Sequence, residues 1–526
     1  MTRGSARAVP PEAPDWLVRA RERVRVFAQY EGTFQESADV VVVGSGPCGA
    51  VAAYELALAG HDVVLLEEGP PFTVRDFELD GNLSMTRTMR EGGLRMTWGT
   101  RMPTMQAVAL GGGSLVNSGI CVRPPDSVFE RWATEFELER TDRAHLDPHF
   151  DAIGEFLGIA PTPDEVQGRR NLLFRDACDA LGIESEPIAR NVRGCRGSGE
   201  CFTGCRSRAK QSMDVSYVPA ALRAGARVLT SVQVQEVRRS GHRVTGVAGQ
   251  VVAPFGGDTS HRFRIDAKAV VLAAGCTATP VLLKHSDDLA NASGQVGRNL
   301  QFHPGVAIAG LFPEVVDPQF GATQGYQSLA FLEEGFKLET LWAPPPLLSI
   351  RFPGHGAELQ ASFAEIPYMA VWDAIASANR SLGRVKARWR SLEPSLHWRI
   401  HPDDVAIVRR SLVVLARLFF AAGARKILPG VQGLPEAMTS LEEVELLGSE
   451  AVRPEGMVMG GNHVFCTTRM HGDPTRGVVD EDGRCHDLEN LYIADTGIFP
   501  QCPSVNPMWT GMALARRQAH ALAGRL

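Results

Sequence analysis

Asp39-Val40-Val41-Val42-Val43 runs directly into Gly44-Ser45-Gly46-Pro47-Cys48-Gly49. A run of β-branched side chains suits a strand covered on both faces. Ala50 to Ala59 then reads as a helix, and Val63 to Leu66 as a second buried strand ending in Glu67, so the segment predicts a β-α-β unit. In such a unit Gly44 makes the tight turn, Gly46 lets the backbone approach a pyrophosphate, and Gly49 lets the helix pack on the strand. The anion would sit on the helix N-terminus, where free N–H groups and the dipole favour negative charge. Glu67 is placed to accept hydrogen bonds from the adenosine ribose hydroxyls. The pattern predicts a dinucleotide site without separating NAD from FAD.

A chain of 526 residues exceeds one ordinary domain, so two sequential or interleaved domains are expected. Hydrophobic residues at 44% and charged residues at 22% are the balance of a globular protein and argue against disorder. A net charge of -6 provides no basic footprint for a polyanion, which argues against nucleic acid as a partner. The N-terminus is polar and contains Pro10, Pro11 and Pro14, without the apolar core of a secretory signal, so a cytoplasmic location is expected. The apolar stretch Val405 to Ala422 is interrupted by Arg409, Arg410 and Arg417, which predicts a buried or amphipathic helix and no transmembrane segment. Trp16 to Tyr30 alternates arginines with apolar residues and suits a short helix lying on the body of the protein or on a membrane surface.

Further along, a glycine-dense loop stands at Gly111-Gly112-Gly113-Ser114, followed by a helix-capable stretch through the 130s to the 180s. Arg227 to Val237 and Lys268 to Ala273 read as strands, the second entering Gly275. Residues 306 to 455 carry proline-rich loops such as Pro344-Pro345-Pro346, scattered aromatics and no chemical motif. The expected organisation is an N-terminal extension at 1–37, cofactor-domain pieces at 38–125, 191–305 and 456–526, a mixed cap segment at 126–190, and a substrate domain at 306–455.

Four separated blocks resemble the glucose-methanol-choline (GMC) oxidoreductases. Ala107 to Pro124, AVALGGGSLVNSGICVRP, is similar to the family's first signature, and Gly275 to Leu283, GCTATPVLL, to its second. Val296 to Pro304 resembles the segment that follows, and His463 to Met470, Val478 to Asp480, Asn490 to Asp495, Phe499-Pro500 and Asn506-Pro507 follow the closing pattern in order. The resemblance implies an α/β fold in which a Rossmann-like FAD-binding domain is interleaved with an α+β substrate-binding domain. It also implies FAD as cofactor, with Gly112, Ser114, Asn117, Val234, Asp495, Pro507 and Met508 joining Gly44, Gly46, Gly49 and Glu67 around it. The chain departs from the family at Val108, Cys121, Asp287 and Cys466, the last two standing where glycine is usual. These departures set it apart from the glucose and choline oxidases, while the GGGS loop and Ala209-Lys210-Gln211-Ser212 look more like bacterial members and long-chain alcohol oxidases. No histidine lies between His61 and His145, so a histidyl-flavin bond near the glycine loop has no candidate and the flavin should be noncovalent.

Oxidising an alcohol by hydride transfer requires that the hydroxyl proton leave at or near the same time, because the developing oxyanion expels the hydride. A neutral imidazole suits that task. The resemblance puts His463 at the base position and Asn506 at the position that holds the alcohol oxygen. His471, His486 and His303 lie near matched segments without occupying the base position and read as structural. The expected activity is oxidation of a hydrophobic alcohol to aldehyde or ketone, with oxygen or an electron carrier as acceptor. A lyase or decarboxylase of the same fold, or a catalytically silent flavoprotein, are the alternatives.

Cys195, Cys201 and Cys205 cluster inside GCRGSGECFTGC, whereas the other seven cysteines stand singly. Thiolates this close suggest metal or redox chemistry, and some family members hold a three-iron cluster on similarly spaced cysteines. The competing reading is a cysteine-rich turn, with or without a disulfide. Three ligands without a fourth lean toward the turn.

Overall fold

In the computed structural model, which describes residues 22–77, 80–254, 257–343, 345, 352 and 354–526, the valine run at 40–43 is the buried inner end of the strand Phe34–Val43. Val63–Leu66 pairs with it in parallel on one side and the long strand Asp258–Leu272 on the other. Arg227–Leu229 and then Val24–Arg25 extend the parallel order beyond Val63–Leu66. Arg243–Val252 and Val232–Ser240 add an antiparallel meander to Asp258–Leu272, and Leu491–Ile493 pairs in parallel with its inner end. One sheet therefore gathers strands from widely separated stretches of the chain. The helix Pro47–Leu58 packs between Tyr217–Ala224 and the last helix, Met508–Ala523.

The single strand expected over Arg227 to Val237 is two strands, because Ser231 adopts a positive φ of 59° and turns the chain from the parallel side into the meander. The helix expected over Trp16 to Tyr30 lies partly outside the described residues. Its described part is the strand Val24–Arg25 and a 3-10 turn at Phe27–Gln29 instead.

A second sheet of seven strands is antiparallel throughout, with Gly305–Leu311, Met369–Ala376 and Phe336–Leu341 adjacent at its centre. The helix Pro402–Ala421 covers one of its faces, where Phe419 stacks on Trp372 at 3.9 Å between ring centroids. That helix is the expected amphipathic one: Arg410 pairs with Glu334, Arg417 with Glu445, and Arg409 donates to the Val452 carbonyl. Among the described residues no helix is long and apolar enough to cross a membrane. A third, six-stranded sheet contains Arg298–Phe302, Gly383–Arg388, Ser391–Trp398 and Arg95–Gly99.

The two residues that stand where the resemblance expects glycine keep a glycine-like backbone. Asp287 has φ 60° and Cys466 φ 74°, a region that L side chains occupy at a cost.

Candidate active site

A cavity of about 610 Å³ runs between the parallel sheet and the uncovered face of the antiparallel sheet. Its floor is the glycine turn. Gly44 has φ 103°, and a Cβ there would stand 2.3 Å from the Ala273 carbonyl oxygen; a Cβ on Gly49 would stand 2.0 Å from the Gly44 oxygen. Gly46 instead opens on free space at the N-terminus of the helix Pro47–Leu58. The three glycines thus stand as the tight turn, the helix-strand contact and the open approach that a pyrophosphate requires.

Glu67 lines the cavity, yet its carboxylate is already engaged. One oxygen accepts from the Ser45 amide at 3.0 Å and the Ser45 hydroxyl at 2.6 Å, the other from the Gly69 amide at 2.8 Å, and burial raises its pKa. Glu68 lines the cavity too and is held by Arg90 and Gln233. Gly112, Asn117, Val234, Asp495, Pro507 and Met508 all border the same space. The Asn117 amide donates to the Met508 sulfur at 3.1 Å, so the glycine loop and the start of the last helix meet there. Asp495 accepts from the Gly275 amide, the Thr279 hydroxyl and the Gly497 amide, pinning the second-signature loop. Ser114 departs from expectation: it is fully buried, donates to the Gly111 carbonyl and accepts from the Met213 amide, so it braces the loop from behind and does not line the cavity.

At the far end His463 and Asn506 line the cavity together. Burial first, and repulsion from Lys337 second, push the pKa of His463 down to about 4, which leaves a neutral imidazole at neutral pH. His303, expected to be structural, is part of this group. Its Nδ1 lies 3.0 Å from His463 Nδ1, its Nε2 faces the Cys502 thiol, and it borders the cavity. His471 and His486 lie elsewhere: His471 Nδ1 accepts from the Asp473 amide, and His486 Nε2 meets the His471 carbonyl.

The largest surprise is on the strand Phe336–Leu341. Lys337, fully buried, donates to Asn506 Oδ1 at 2.7 Å and to Gln327 Oε1 at 2.7 Å, with Glu339 at 3.5 Å. Burial lowers its pKa, opposed by Glu339 and Asp373. Phe336 and Leu338 alternate with these residues and point into the core beneath the helix Pro402–Ala421. Lys and Glu at every second position would ordinarily mark a solvated strand face. Here that face closes the cavity, so alternation was the one available signal and it pointed the wrong way.

The cysteine cluster is a braced turn. Cys195, Cys201 and Cys205 are free, and each sulfur meets a different partner: the Gly197 amide, Arg190 at 3.4 Å, and Ser207 with the Lys210 amide. Among the described residues no group of three or more His, Cys, Asp or Glu side chains is arranged to hold a metal ion, so the iron–sulfur expectation finds no support. Lys210, buried, donates to the carbonyls of Leu115, Asn117 and Cys201, tying this turn to the glycine loop.

Residues 85–305 and 379–515 match the two family profiles described as GMC oxidoreductase, and residues 42–89 match an NAD(P)-binding Rossmann-like domain. An uncharacterized GMC-type oxidoreductase of Mycobacterium tuberculosis is 36% identical over 481 residues, covering 91% of this chain and 74% of the relative. A long-chain-alcohol oxidase of Arabidopsis thaliana is 28% identical, covering 91% of this chain and 66% of its own length. Among solved structures, pyridoxine 4-oxidase from Mesorbium loti superposes with a TM-score of 0.68 at 20% identity, covering 92% of this chain and 98% of the other.

Proposed function

Because the chain belongs to the GMC oxidoreductase family, we propose that it oxidises a predominantly apolar alcohol to an aldehyde or ketone, with His463 as the base and Asn506 as the group that holds the reacting oxygen. The observation that carries this reading is that a half-buried imidazole held neutral and an amide of fixed orientation face one cavity that begins at a dinucleotide-type glycine turn. FAD fits that cavity: Gly44 to Gly49 would hold its pyrophosphate, and the Gly112–Asn117 loop with Pro507 and Met508 would hold its other half. When bound, it supplies the hydride acceptor.

The chain's own residues handle the proton and the oxygen. His463 Nδ1 is engaged by His303, which leaves Nε2 to take the hydroxyl proton. Lys337 ties down Asn506 Oδ1 and Glu339 Oε1 accepts from Asn506 Nδ2 at 3.4 Å, so the amide is fixed with its second N–H left to stabilise an oxygen that is gaining negative charge. The Lys337 ammonium acts in the same sense on both groups, opposing protonation of His463 and favouring the developing alkoxide. Beyond this polar end the wall is apolar, with Ala309, Leu341, Phe352, Met369 and Val371, which supports a hydrophobic substrate.

The test is anaerobic absorbance of the flavin-loaded protein against aliphatic, terpenoid and sugar alcohols. Bleaching by aliphatic or terpenoid alcohols is expected, and preference for small sugars overturns the substrate class. A flavin bleached by no alcohol overturns the activity. Recovery of the bleached band in air, with peroxide, identifies oxygen as the acceptor; absence of recovery identifies an electron carrier.

A further inference from the structure

Within the six-stranded sheet, Arg95–Gly99, Gly383–Arg388 and Ser391–Trp398 turn one face to the protein and the other to solvent. Cross-strand register puts Arg384 opposite His397 and His397 beside Trp98, so these three share a row, and Lys386 stands opposite Ser395 in the next. Their alternating neighbours Val385, Leu396 and Thr97 point inward and are buried. On the outer face Trp98 is 64% exposed and Leu382 57%, and Trp389, at the tip of the hairpin between Gly383–Arg388 and Ser391–Trp398, is 87% exposed. A shallow groove of about 360 Å³ lies among Trp98, Leu382, Arg384, Lys386 and Arg399.

Arg384, Lys386, Arg388, Arg390 and Arg399 are exposed across this face, and among the described residues none of the five is joined to a carboxylate. The nearest acid on the strand Ser391–Trp398, Glu393, is held on its other side by Arg95 and Arg90. Arg384 and Lys386 add to burial in lowering the pKa of His397, a sign of the local positive field. This concentration of cations contrasts with the chain's net charge of -6.

We propose that this face docks the protein on an anionic phospholipid bilayer. Large apolar side chains interspersed with cations that have no carboxylate partner, Arg390 lying over the Trp389 ring, match the headgroup zone, where tryptophan rings settle at the interface and each lysine or arginine is attracted by acidic lipid. A nucleic-acid duplex would use the cations and leave Trp98, Leu382 and Trp389 in water. An acidic protein would need a complementary relief for a hairpin tip as prominent as Trp389. The docked face also has a use if the proposed substrate class holds, since Leu392 and Pro394 of the same sheet line the main cavity, and an apolar alcohol dissolved in the bilayer would stand beside that wall.

Docking is measured by co-sedimentation of the flavin-loaded protein with vesicles of phosphatidylcholine alone and of phosphatidylcholine with phosphatidylglycerol. Binding to the anionic vesicles is expected, weakening at least about tenfold in the double variant Arg384→Glu, Lys386→Glu and on raising salt, since each cation near such a surface contributes roughly a factor of five. Trp389→Ala is expected to weaken binding as well, and both variants keep wild-type flavin content and oxidation of a water-soluble alcohol. Absence of sedimentation with anionic vesicles, sedimentation indifferent to the charge reversal, or charge-dependent binding to an acidic soluble protein in place of vesicles each overturns the proposal. Because vesicle binding is read without turnover, its failure is separable from failure of the proposed substrate.

Discussion

Two things make the charged form of His463 costly: the loss of solvent around the ring and, second, the Lys337 ammonium. An imidazole titrating near 4 is unprotonated throughout the neutral range, so turnover should be flat above about pH 5 and fall as pH drops through about 4. Lys337→Met removes the repelling cation and leaves Glu339 buried without it. Both changes favour imidazolium, so the acid limb of kcat/KM should move to higher pH; an unmoved limb would show that Lys337 does not act on the base. His463→Asn should lower kcat by about 10²- to 10⁴-fold, the usual worth of a positioned general base. Asn506→Ala should cost about 10²- to 10³-fold, as for loss of one oxyanion donor. Both variants should retain flavin absorbance, which separates chemistry from cofactor loss.

At the scale of elements, the glycine turn carries the sharpest expectation. Gly44→Ala puts a Cβ against the Ala273 carbonyl and forces a side chain into φ 103°, a backbone penalty of roughly 1–2 kcal/mol before the clash is counted. Purified Gly44→Ala should show a lower ratio of flavin to protein absorbance and a lower Tm than wild type. This element was legible in the sequence because its strand, turn, helix and second strand are contiguous and each glycine answers a local steric demand. The strand Val63–Leu66 was read with its observed bounds, and Phe34–Val43 was read only from the valine run because its outer half alternates exposed and covered residues. The strand Phe336–Leu341 was not legible at all. Its alternating Lys337 and Glu339 acquire their meaning from the loop that brings Asn506 to 2.7 Å from the ammonium, across 169 residues of chain.

For the whole molecule, the cavity lies between two sheets and is closed by loops from the first and last hundred residues, so its occupant should link them. Removing FAD and restoring it at a thousandfold excess over Kd should recover about 4 kcal/mol of apparent stability, read as a rise of several degrees in Tm. No rise on adding FAD would contradict its assignment to this cavity. By itself the sequence determined what depends on neighbours along the chain: the β-α-β unit with its glycine turn, the amphipathic helix Pro402–Ala421, and, through its motif blocks, the family; those blocks also single out His463 and Asn506, whose roles are proposed. The tertiary structure alone decided which face of a strand meets a cavity and which meets water. It turned Ser114 inward, brought His303 to His463, buried Lys337 beside Asn506, and left Trp98 and Trp389 outside, because burial and the pairing of charges are set by segments that meet only when the sheets pack.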